Sequence, residues 1–254
     1  MIDIHTHLLP GIDDGADDLA MAVAMAKIAE SDGIKVLACT PHVKPPRYPN
    51  VGKDIRARVE KLHNELQRAR VDVSLVAGGD IHIAHDLLSS LRDGVAPCLH
   101  DSRYFLFEPN HTVLTPRLDA LCSELFNAGY KPVLTHPERL VWVPKHYNLI
   151  KKLYEAGVVM QVTAGSLTGA FGTRVYQLSR RMMDDGIVDV VATDAHNVTA
   201  RPPILSRARD WIAAEYGEIV AKRLTVDNPM RILRDLDILR PQSLVRNIPV
   251  GGRT

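Results

Sequence analysis

The sequence is poor in cysteine, in net charge and in long apolar runs, and each shortage excludes a class of protein. The chain of 254 residues has three cysteines, Cys39, Cys98 and Cys122, whose odd number and wide spacing argue against a disulfide framework and indicate a reducing, cytoplasmic compartment. No apolar run is as long as a membrane span, and no basic segment followed by an apolar core opens the chain, so we expect neither membrane insertion nor a signal peptide. The formal net charge of +1 gives no indication of binding to nucleic acid or to an acidic membrane.

What the chain does have is an alternation of strand-like and helix-like segments. Hydrophobic residues make up 46% and charged residues 24% of the chain, as in ordinary soluble globular proteins. Near-continuous apolar strands separated by helices indicate a parallel sheet that is covered on both faces. The units are of similar size and no linker separates them, so we expect one domain over residues 1–254, folded as a closed barrel or, as the alternative, a doubly wound open sheet. The predicted strands are IDIH, IKVLACT, VDVSLVAGGD, YFLFE, KPVLTH, VVMQVTAG and IVDVVATDAH.

Some local features of the sequence predict where elements end. Gly33 is expected just past the end of the first helix, where a left-handed backbone is common. A later helix is expected to begin at Thr115, with Pro116 at its first position. The tail, residues 240–254, is predicted to be loosely ordered.

Imidazole and carboxylate side chains end almost every predicted strand. Because catalytic residues of a parallel α/β barrel lie at the carboxyl ends of its strands, we expect these side chains to converge. One strand is an exception and ends in the small polar residues TAGS. The converging residues are His5, His7, His42, Asp80, Glu108, His136, Asp194 and His196.

The spacing of these residues suits metal binding. Residues two apart on a strand face the same side, so the two rings of the HTH stretch can reach one cation. Nitrogen and oxygen ligands without thiolate suit Mn, Fe or Zn, or Mg where oxygen dominates. The ligands outnumber the needs of one ion, so we expect two or three ions and a bridging carboxylate, which would bind phosphate and generate hydroxide from water.

Each motif taken alone also has a simpler interpretation. An isolated HxH pair occurs by chance on surface strands, and Asp13 with Asp14 could be no more than a turn and a helix cap. Three histidines are expected near the site but outside the ligand set, namely His82, His85 and His111. Those expected away from it are His63, His100 and His146.

Taken together, the motifs resemble the polymerase-and-histidinol-phosphatase (PHP) superfamily. Within it, the chain is similar to the bacterial manganese-dependent tyrosine phosphatases of capsule and exopolysaccharide operons. The resemblance runs in order from residue 3 to about residue 203, and DNPMRIL resembles the closing helix of the family. The stretches that carry it are DIHTHLLPGIDDGA, ACTPHV, GGDIHI, YFLFE, LTHPER, QVTAGSLTGAFG, VATDAHN and VTARPP.

The resemblance implies a distorted (β/α)₇ TIM-like barrel that holds three divalent metal ions. Mn²⁺ is the first choice of ion, with Fe, Zn or Mg as alternatives. Arg139 and Arg201 are implied to bind phosphate. The implied ligand sets are His5, His7, Asp80 and Asp194 for the first ion, Asp80, Glu108 and His136 for the second, and Asp14, His42 and His196 for the third.

The implied activity is hydrolysis of phosphotyrosine in a protein, by metal-activated hydroxide. The implied substrate is a bacterial tyrosine kinase of capsule or exopolysaccharide biosynthesis. Two alternatives stay open: a PHP phosphoesterase acting on histidinol phosphate, a sugar phosphate or a nucleotide, and a non-catalytic regulator that binds a kinase. A cysteine nucleophile is not expected, because no Cys-x₅-Arg loop occurs in the chain, and Cys39 is interpreted as a core residue.

The chain departs from the family pattern in two places. Asp80 stands where the family usually carries glutamate, and the shorter side chain could tighten the bridge or hold one ion less firmly. His82 stands where an arginine is common.

Overall fold

A computed structural model describes residues 1–240 of the chain. Apart from Arg240, the predicted loose tail at 240–254 lies outside the described residues. The fold is mixed α/β, with ten strands and ten α-helices over the described part of the chain. Within that part, no helix combines the length and the apolar character needed to cross a membrane.

The strands form two sheets whose pairing is parallel except at one short hairpin. One sheet has the order β1–β2–β5, and the other has the order β10–β9–β8–β7–β6–β3–β4. The hairpin is the antiparallel pair β3–β4. The strands are β1 (Ile2–Thr6), β2 (Val36–Cys39), β3 (His42–Lys44), β4 (Tyr48–Pro49), β5 (Ser74–Ala77), β6 (Asp80–His82), β7 (Tyr104–Glu108), β8 (Lys131–Thr135), β9 (Val159–Thr163) and β10 (Val190–Ala192).

The two sheets are continuous through the chain and meet again at their ends. Strands β2 and β3 are separated by two residues only, as are β5 and β6. At the other end, Thr6 forms a parallel bridge with Ala195. The amide of His7 donates to the carbonyl of Ala195 at 2.8 Å, and the amide of Asp194 donates to the carbonyl of His5 at 2.9 Å. The first and last strands are therefore neighbours.

Helices follow most of the strands and cover the sheets. The Asp18 side chain caps α1 by accepting from the amide of Met21, and Gly33 lies just past the end of this helix with φ +84°, as predicted. Three 3₁₀ turns (Leu99–Asp101, Pro137–Arg139 and Val143–Lys145) and a π-helical turn (Arg223–Asp227) complete the elements. The helices are α1 (Leu19–Ser31), α2 (Gly52–Arg68), α3 (Leu87–Arg92), α4 (Leu118–Asn127), α5 (Tyr147–Glu155), α6 (Ala164–Leu167), α7 (Thr173–Asp184), α8 (Ser206–Tyr216), α9 (Glu218–Lys222) and α10 (Asn228–Leu233).

The alternation of side chains along β7 shows how the strands position polar groups. Tyr104 and Leu106 belong to a small apolar cluster, whereas Phe105 and Phe107 belong to the large cluster that includes residues of the helices. Successive residues of a strand face opposite sides. Glu108 therefore continues the face of Leu106 and extends beyond the small cluster at the carboxyl end of the strand.

Some sequence predictions of element boundaries were wrong. His42 and Asp80 do not end long strands but begin the second halves of interrupted ones. A side chain at Gly78, before β6, would lie 2.8 Å from the side chain of Leu99, so this interruption needs a glycine.

Two further boundaries differ from the predictions. Helix α4 begins at Leu118 rather than at Thr115, because Arg117 has a left-handed backbone with φ +52° that a helix cannot include. The predicted strand VVMQVTAG ends at Thr163, and its last residues begin the short helix α6 instead.

Candidate metal centre

The side chains predicted as ligands converge beside the carboxyl ends of the strands. On one side of this centre, the Nε2 atoms of His5 and His7 each lie 3.3 Å from Oδ1 of Asp194. His5 Nε2 is also 3.7 Å from Oδ2 of Asp80. All four side chains are almost completely buried. Residues 189 positions apart in sequence thus share one buried polar cluster.

The hairpin and the first loop supply a second group. Nδ1 of His42 lies 3.2 Å from Oδ2 of Asp80, and its Nε2 lies 3.4 Å from Oδ1 of Asp14. The same Asp14 oxygen is 3.5 Å from Nε2 of His196. Asp14, His42 and His196 are therefore brought together, as the resemblance implied for the third ion, and His7 lies close enough to join them.

The carboxylate of Glu108 lies among four imidazoles. Its Oε1 lies 2.8 Å from Nε2 of His111 and 3.6 Å from Nε2 of His136. Its Oε2 lies 3.2 Å from Nδ1 of His82 and 3.6 Å from Nδ1 of His42. His82 and His111 were expected outside the ligand set, and both contact one of its members.

Five overlapping groups of these side chains have ligand atoms within 4.8 Å of one another, and could each hold an ion. They do not reproduce every implied set. Asp80 and Glu108 form a group with His42, whereas His136 joins Glu108 in a group with His111. The groups are His7–Asp14–His42–His196, His5–His7–Asp80, His5–His136–Asp194, Glu108–His111–His136 and His42–Asp80–Glu108.

Buried atoms without hydrogen bonds fit this set of side chains to metal ions. Neither oxygen of Asp80 accepts a hydrogen bond, because the approach of His42 at 3.2 Å lacks hydrogen-bond geometry, and the side chain has no exposed surface. Nδ1 of His42 and Nδ1 of His136 are unpartnered in the same way. An unsatisfied buried polar group costs about 1–3 kcal/mol, and cations would compensate at these atoms.

Three other imidazoles of the centre contact protein oxygen atoms through Nδ1, and the sequence did not predict these contacts. Nδ1 of His5 lies 2.8 Å from Oε1 of Gln161, and Nδ1 of His7 lies 2.7 Å from Oδ2 of Asp13. Nδ1 of His196 is 3.0 Å from the carbonyl oxygen of Asp194. Such partners fix the ring and its tautomer and leave Nε2 for a metal. Gln161 carried a weak signal, as a polar residue within an apolar strand.

The Asp13 loop lies against His7 closely enough to require a glycine. A Cβ at Gly15 would lie 2.1 Å from the carbonyl oxygen of His7. The amide of Gly15 donates to Oδ1 of Asp13 at 3.0 Å, and the amide of His42 donates to Oδ2 at 3.0 Å. Asp13 therefore links the first strand, its loop and the hairpin, which its sequence context alone did not indicate.

Two of the candidate ligands have unusual backbone conformations. His136 has φ +36° and Asp194 has φ +52°, both in the left-handed region that side chains other than glycine seldom adopt. The backbone of each is held by a neighbouring strand, since the amide of His136 donates to the carbonyl of Gln161 at 2.8 Å. Strain of this kind is often found at functional sites.

Opposed charges set the protonation of the centre. Burial alone would raise the pKa of Asp194, but His5, Arg201 and Arg139 hold that pKa well below its usual range. Burial, together with Arg139, holds the pKa of His136 well below the usual value of an imidazole. A carboxylate that stays ionised and an imidazole that stays neutral are both in the form that binds metal.

The pKa of His7 is raised rather than lowered, because the negative charge of Asp13 lies against its ring. Burial lowers the pKa of His7, but the Asp13 carboxylate outweighs burial and raises the pKa to about 9. His42 behaves similarly, because its contacts with Asp14 and Asp80 outweigh burial and raise its pKa to about 11. In the absence of ions these imidazoles hold protons, which cations must displace.

The centre opens into a cavity of about 270 Å³. Arg139 and Arg201 line it, and both guanidinium groups donate to Oδ2 of Asp194. The ring of Phe171 supports them, with its centroid 4.6 Å from Cζ of Arg139 and 6.0 Å from Cζ of Arg201. The remaining lining residues are Asp14, His42, Lys44, Arg47, Tyr48, His82, Glu108, Asn110, His111, His136, Asp194 and His196.

The chain is similar to tyrosine-protein phosphatases of bacteria over almost its whole length. It is 33% identical to tyrosine-protein phosphatase YwqE of Bacillus subtilis (strain 168), over 97% of each chain. It is 28% identical to tyrosine-protein phosphatase CpsB of Streptococcus pneumoniae, over 92% of this chain and 99% of the relative. A solved structure from a study of B. subtilis YwqE and S. pneumoniae CpsB, described as unique metal-dependent tyrosine phosphatases, matches with a TM-score of 0.91 and 32% identity. That match covers 94% of this chain and 97% of the solved one.

A family model agrees with these similarities. The model described as "Capsular polysaccharide synthesis, CpsB/CapC" matches residues 1–234. This range includes every side chain of the centre described above. The predicted resemblance to the tyrosine phosphatases of capsule operons is confirmed, and the chain belongs to the CpsB/CapC family.

Proposed function

We propose that this protein is a metal-dependent protein-tyrosine phosphatase of capsule or exopolysaccharide biosynthesis. The observation that carries the proposal is the convergence of nine candidate ligands in one centre that opens into a cavity lined by two arginines, in a chain whose relatives are named tyrosine phosphatases. The proposed substrate is a phosphotyrosine protein, and a bacterial tyrosine kinase is the candidate that the capsule-synthesis family suggests.

The proposed architecture is a single domain over residues 1–254, built as a distorted (β/α)₇ TIM-like barrel of the PHP type. The Thr6–Ala195 bridge supports closure, because it joins the end of the first strand to the segment that follows the last strand. The spread of the candidate ligands from His5 to His196 supports a single domain, because no fragment of the chain contains the whole site.

The proposed cofactors are three divalent ions, with Mn²⁺ as the first candidate. The proposed ligands are those that the family resemblance implied, with Asp80 as the bridge between the first two ions. Its two unpartnered oxygens support this role. When bound, the ions would lower the pKa of a water molecule and offset the charge of the phosphate.

Other residues of the chain bind the phosphate and orient the imidazole rings. Arg139 and Arg201 bind the substrate phosphate through a planar, permanently charged fork that suits two oxygens. Phe171 keeps both guanidinium groups at the cavity by packing against them. Gln161 and Asp13 orient the imidazoles of the centre, so that the Nε2 atoms face inward.

The cysteines have no part in the proposed chemistry. All three are free thiols, and burial raises the pKa of each, to about 11 at Cys98, so all three are protonated at neutral pH. A thiolate nucleophile is therefore not available at any of the three positions without a large change in environment. Free thiols also agree with the proposed cytoplasmic location.

A substrate panel tests the proposal. It compares a phosphotyrosine peptide, a phosphoserine peptide, histidinol phosphate and a nucleotide, each with Mn²⁺ and with chelator. We expect Mn²⁺-dependent hydrolysis that is fastest for phosphotyrosine. Faster hydrolysis of a small-molecule phosphate would favour the other PHP activities, and kinase binding without any hydrolysis would favour a regulator.

A further inference from the structure

The hairpin formed by β3 and β4 carries two cations to the edge of the metal centre. We call residues 44–48 the basic arm. Lys44 and Arg47 both line the cavity that Asp14 and His42 also line. The arm lies directly beyond a candidate metal ligand, since His42 begins the same strand.

The arm is anchored rather than free at its base. Lys44 pairs with Tyr48 and Val43 pairs with Pro49 in the antiparallel ladder. The side-chain amide of Asn50 donates to the carbonyl of His42 at 2.8 Å, and to the carbonyl of Ile12 at 3.0 Å. These bonds attach the arm both to the metal centre and to the loop that carries Asp13 and Asp14.

Stacked side chains hold one cation beside the cavity. The ring of Tyr48 stacks on His42, with centroids 5.4 Å apart and planes inclined by 15°. Cζ of Arg47 lies 5.0 Å from the Tyr48 ring centroid, in the range of a cation–π contact. The guanidinium therefore has a preferred position next to the opening.

Neither cation of the arm has a carboxylate partner. Within residues 1–240, no acidic oxygen lies within ion-pair distance of Lys44 or Arg47. Arginines elsewhere in the described part of the chain do have partners, as in the contacts of Arg56 with Asp101 and of Arg103 with Asp235. The two arginines inside the cavity, Arg139 and Arg201, also have a carboxylate partner, because both contact Asp194.

We propose that the basic arm binds acidic residues that flank the phosphotyrosine of the substrate, so that the preferred substrate is an acidic phosphopeptide. This inference rests on the proposed phosphatase function and adds a substrate class to it. Two unpaired cations on an anchored support, at the opening of a phosphate site, complement a peptide whose charge continues beyond the phosphate. Arg47 and Lys44 act in binding and take no part in the chemical step.

The test compares two phosphopeptides that differ only in flanking charge, Glu-Glu-pTyr-Glu-Glu and Gln-Gln-pTyr-Gln-Gln. The readout is the ratio of their kcat/KM values, measured with Mn²⁺ for the wild type, for Arg47→Gln and for Lys44→Gln. Arg58→Gln is the matched control, because Arg58 is exposed on α2 and does not line the cavity. Using a ratio cancels any effect of a substitution on the chemical step.

We expect the wild type and Arg58→Gln to prefer the acidic peptide by roughly two- to fivefold for each cation engaged. The ratio should fall toward one in Arg47→Gln and Lys44→Gln. It should also fall as salt is added, because exposed charges are screened over about 8 Å at physiological ionic strength. The preference should appear mainly in KM.

A wild-type ratio of one, or a preference that survives both arm substitutions, would overturn the inference and leave the phosphatase proposal intact. Failure to hydrolyse either peptide, with Mn²⁺ bound, would instead contradict the phosphatase proposal itself, and the inference with it. The two failures are therefore distinguishable in one set of measurements.

Discussion

The two halves of the metal centre differ in how their buried polar atoms are satisfied. In the half beside β1, the Nδ1 atoms of His5 and His7 have protein partners at 2.8 and 2.7 Å. In the half beside β6, which extends to His136 at the carboxyl end of β8, Asp80 has two buried oxygens without hydrogen bonds, and His42 and His136 each have an unpartnered Nδ1. Hydrogen bonds within the protein orient the first half, whereas the second half has buried polar atoms that cations would satisfy.

Removing the carboxylate of Asp80 should have the largest effect. We expect Asp80→Ala to lose at least one ion per chain and to lower kcat/KM on a phosphotyrosine peptide by roughly 10³-fold, since a bound ion contributes several kcal/mol to the transition state. Asp80→Glu should retain far more activity than Asp80→Asn, because bridging two cations needs the charge more than a fixed length.

The measurement is turnover together with the number of ions per chain by mass spectrometry, and circular dichroism checks that the variants fold. Full activity and full ion content in Asp80→Ala would show that Asp80 is not the bridge. The proposed arrangement of three ions would then be wrong.

The cavity arginines contact Asp194 but are not proposed as metal ligands, and their main role should be to bind the phosphate. We expect Arg139→Ala and Arg201→Ala each to cost about 2–4 kcal/mol in kcat/KM, through both turnover and binding, because charge on the phosphoryl group changes during transfer. Bound Mn²⁺ should stay at the wild-type number. Arg174→Ala, at an exposed position of α7, serves as the control. Loss of ions in either variant, or unchanged kinetics, would contradict the assigned role.

Removal of the ions should destabilise the fold through the half beside β6. An ion present at a hundredfold excess over its Kd adds about 2.7 kcal/mol to the free energy of unfolding. In a chain of this size that corresponds to a rise in Tm of roughly 5–10 °C for one ion. Thermal melts with Mn²⁺ and with chelator measure the shift, which should be smaller in Asp80→Ala. Equal melting temperatures, with ion binding and removal both verified, would contradict this dependence.

Removing the support of His7 should have the smallest effect. Asp13→Asn keeps the size of the side chain but loses its charge, and a partner of this kind typically contributes 10–100-fold to metal affinity. We expect weaker Mn²⁺ binding by about that factor in a calorimetric titration. Asp17→Asn, at an exposed position of the same loop, is the control. Unchanged affinity would mean that the first half does not depend on this contact.

Eight of the nine candidate ligands were predictable because each lies near the end of a strand-like segment, whereas Asp14 was implied only by the family resemblance. Strand β7 was predicted with its observed bounds, and its last residue, Glu108, is in the centre. The exact placing of His42 and Asp80 was not predictable in the same way. Each follows an interruption of two residues within a strand, and an interruption this short does not change the pattern of apolar residues in the sequence.

The supporting contacts were even less visible in the sequence. Asp13 and His7 are close in sequence, but the orientation of the loop depends on the glycine at position 15, which lies against the His7 backbone. Gln161 reaches His5 from a strand 156 residues away. Pairings of this kind are set by the closure of the fold, and local pattern carries no information about them.

The most direct test of the account is the turnover of a phosphotyrosine peptide measured against the number of Mn²⁺ ions bound per chain. Ions are first removed with chelator and then restored in steps. We expect no turnover in the ion-free protein and a rise that reaches its plateau at three ions per chain. Turnover in verified ion-free protein, or a plateau reached at a single ion, would contradict this expectation.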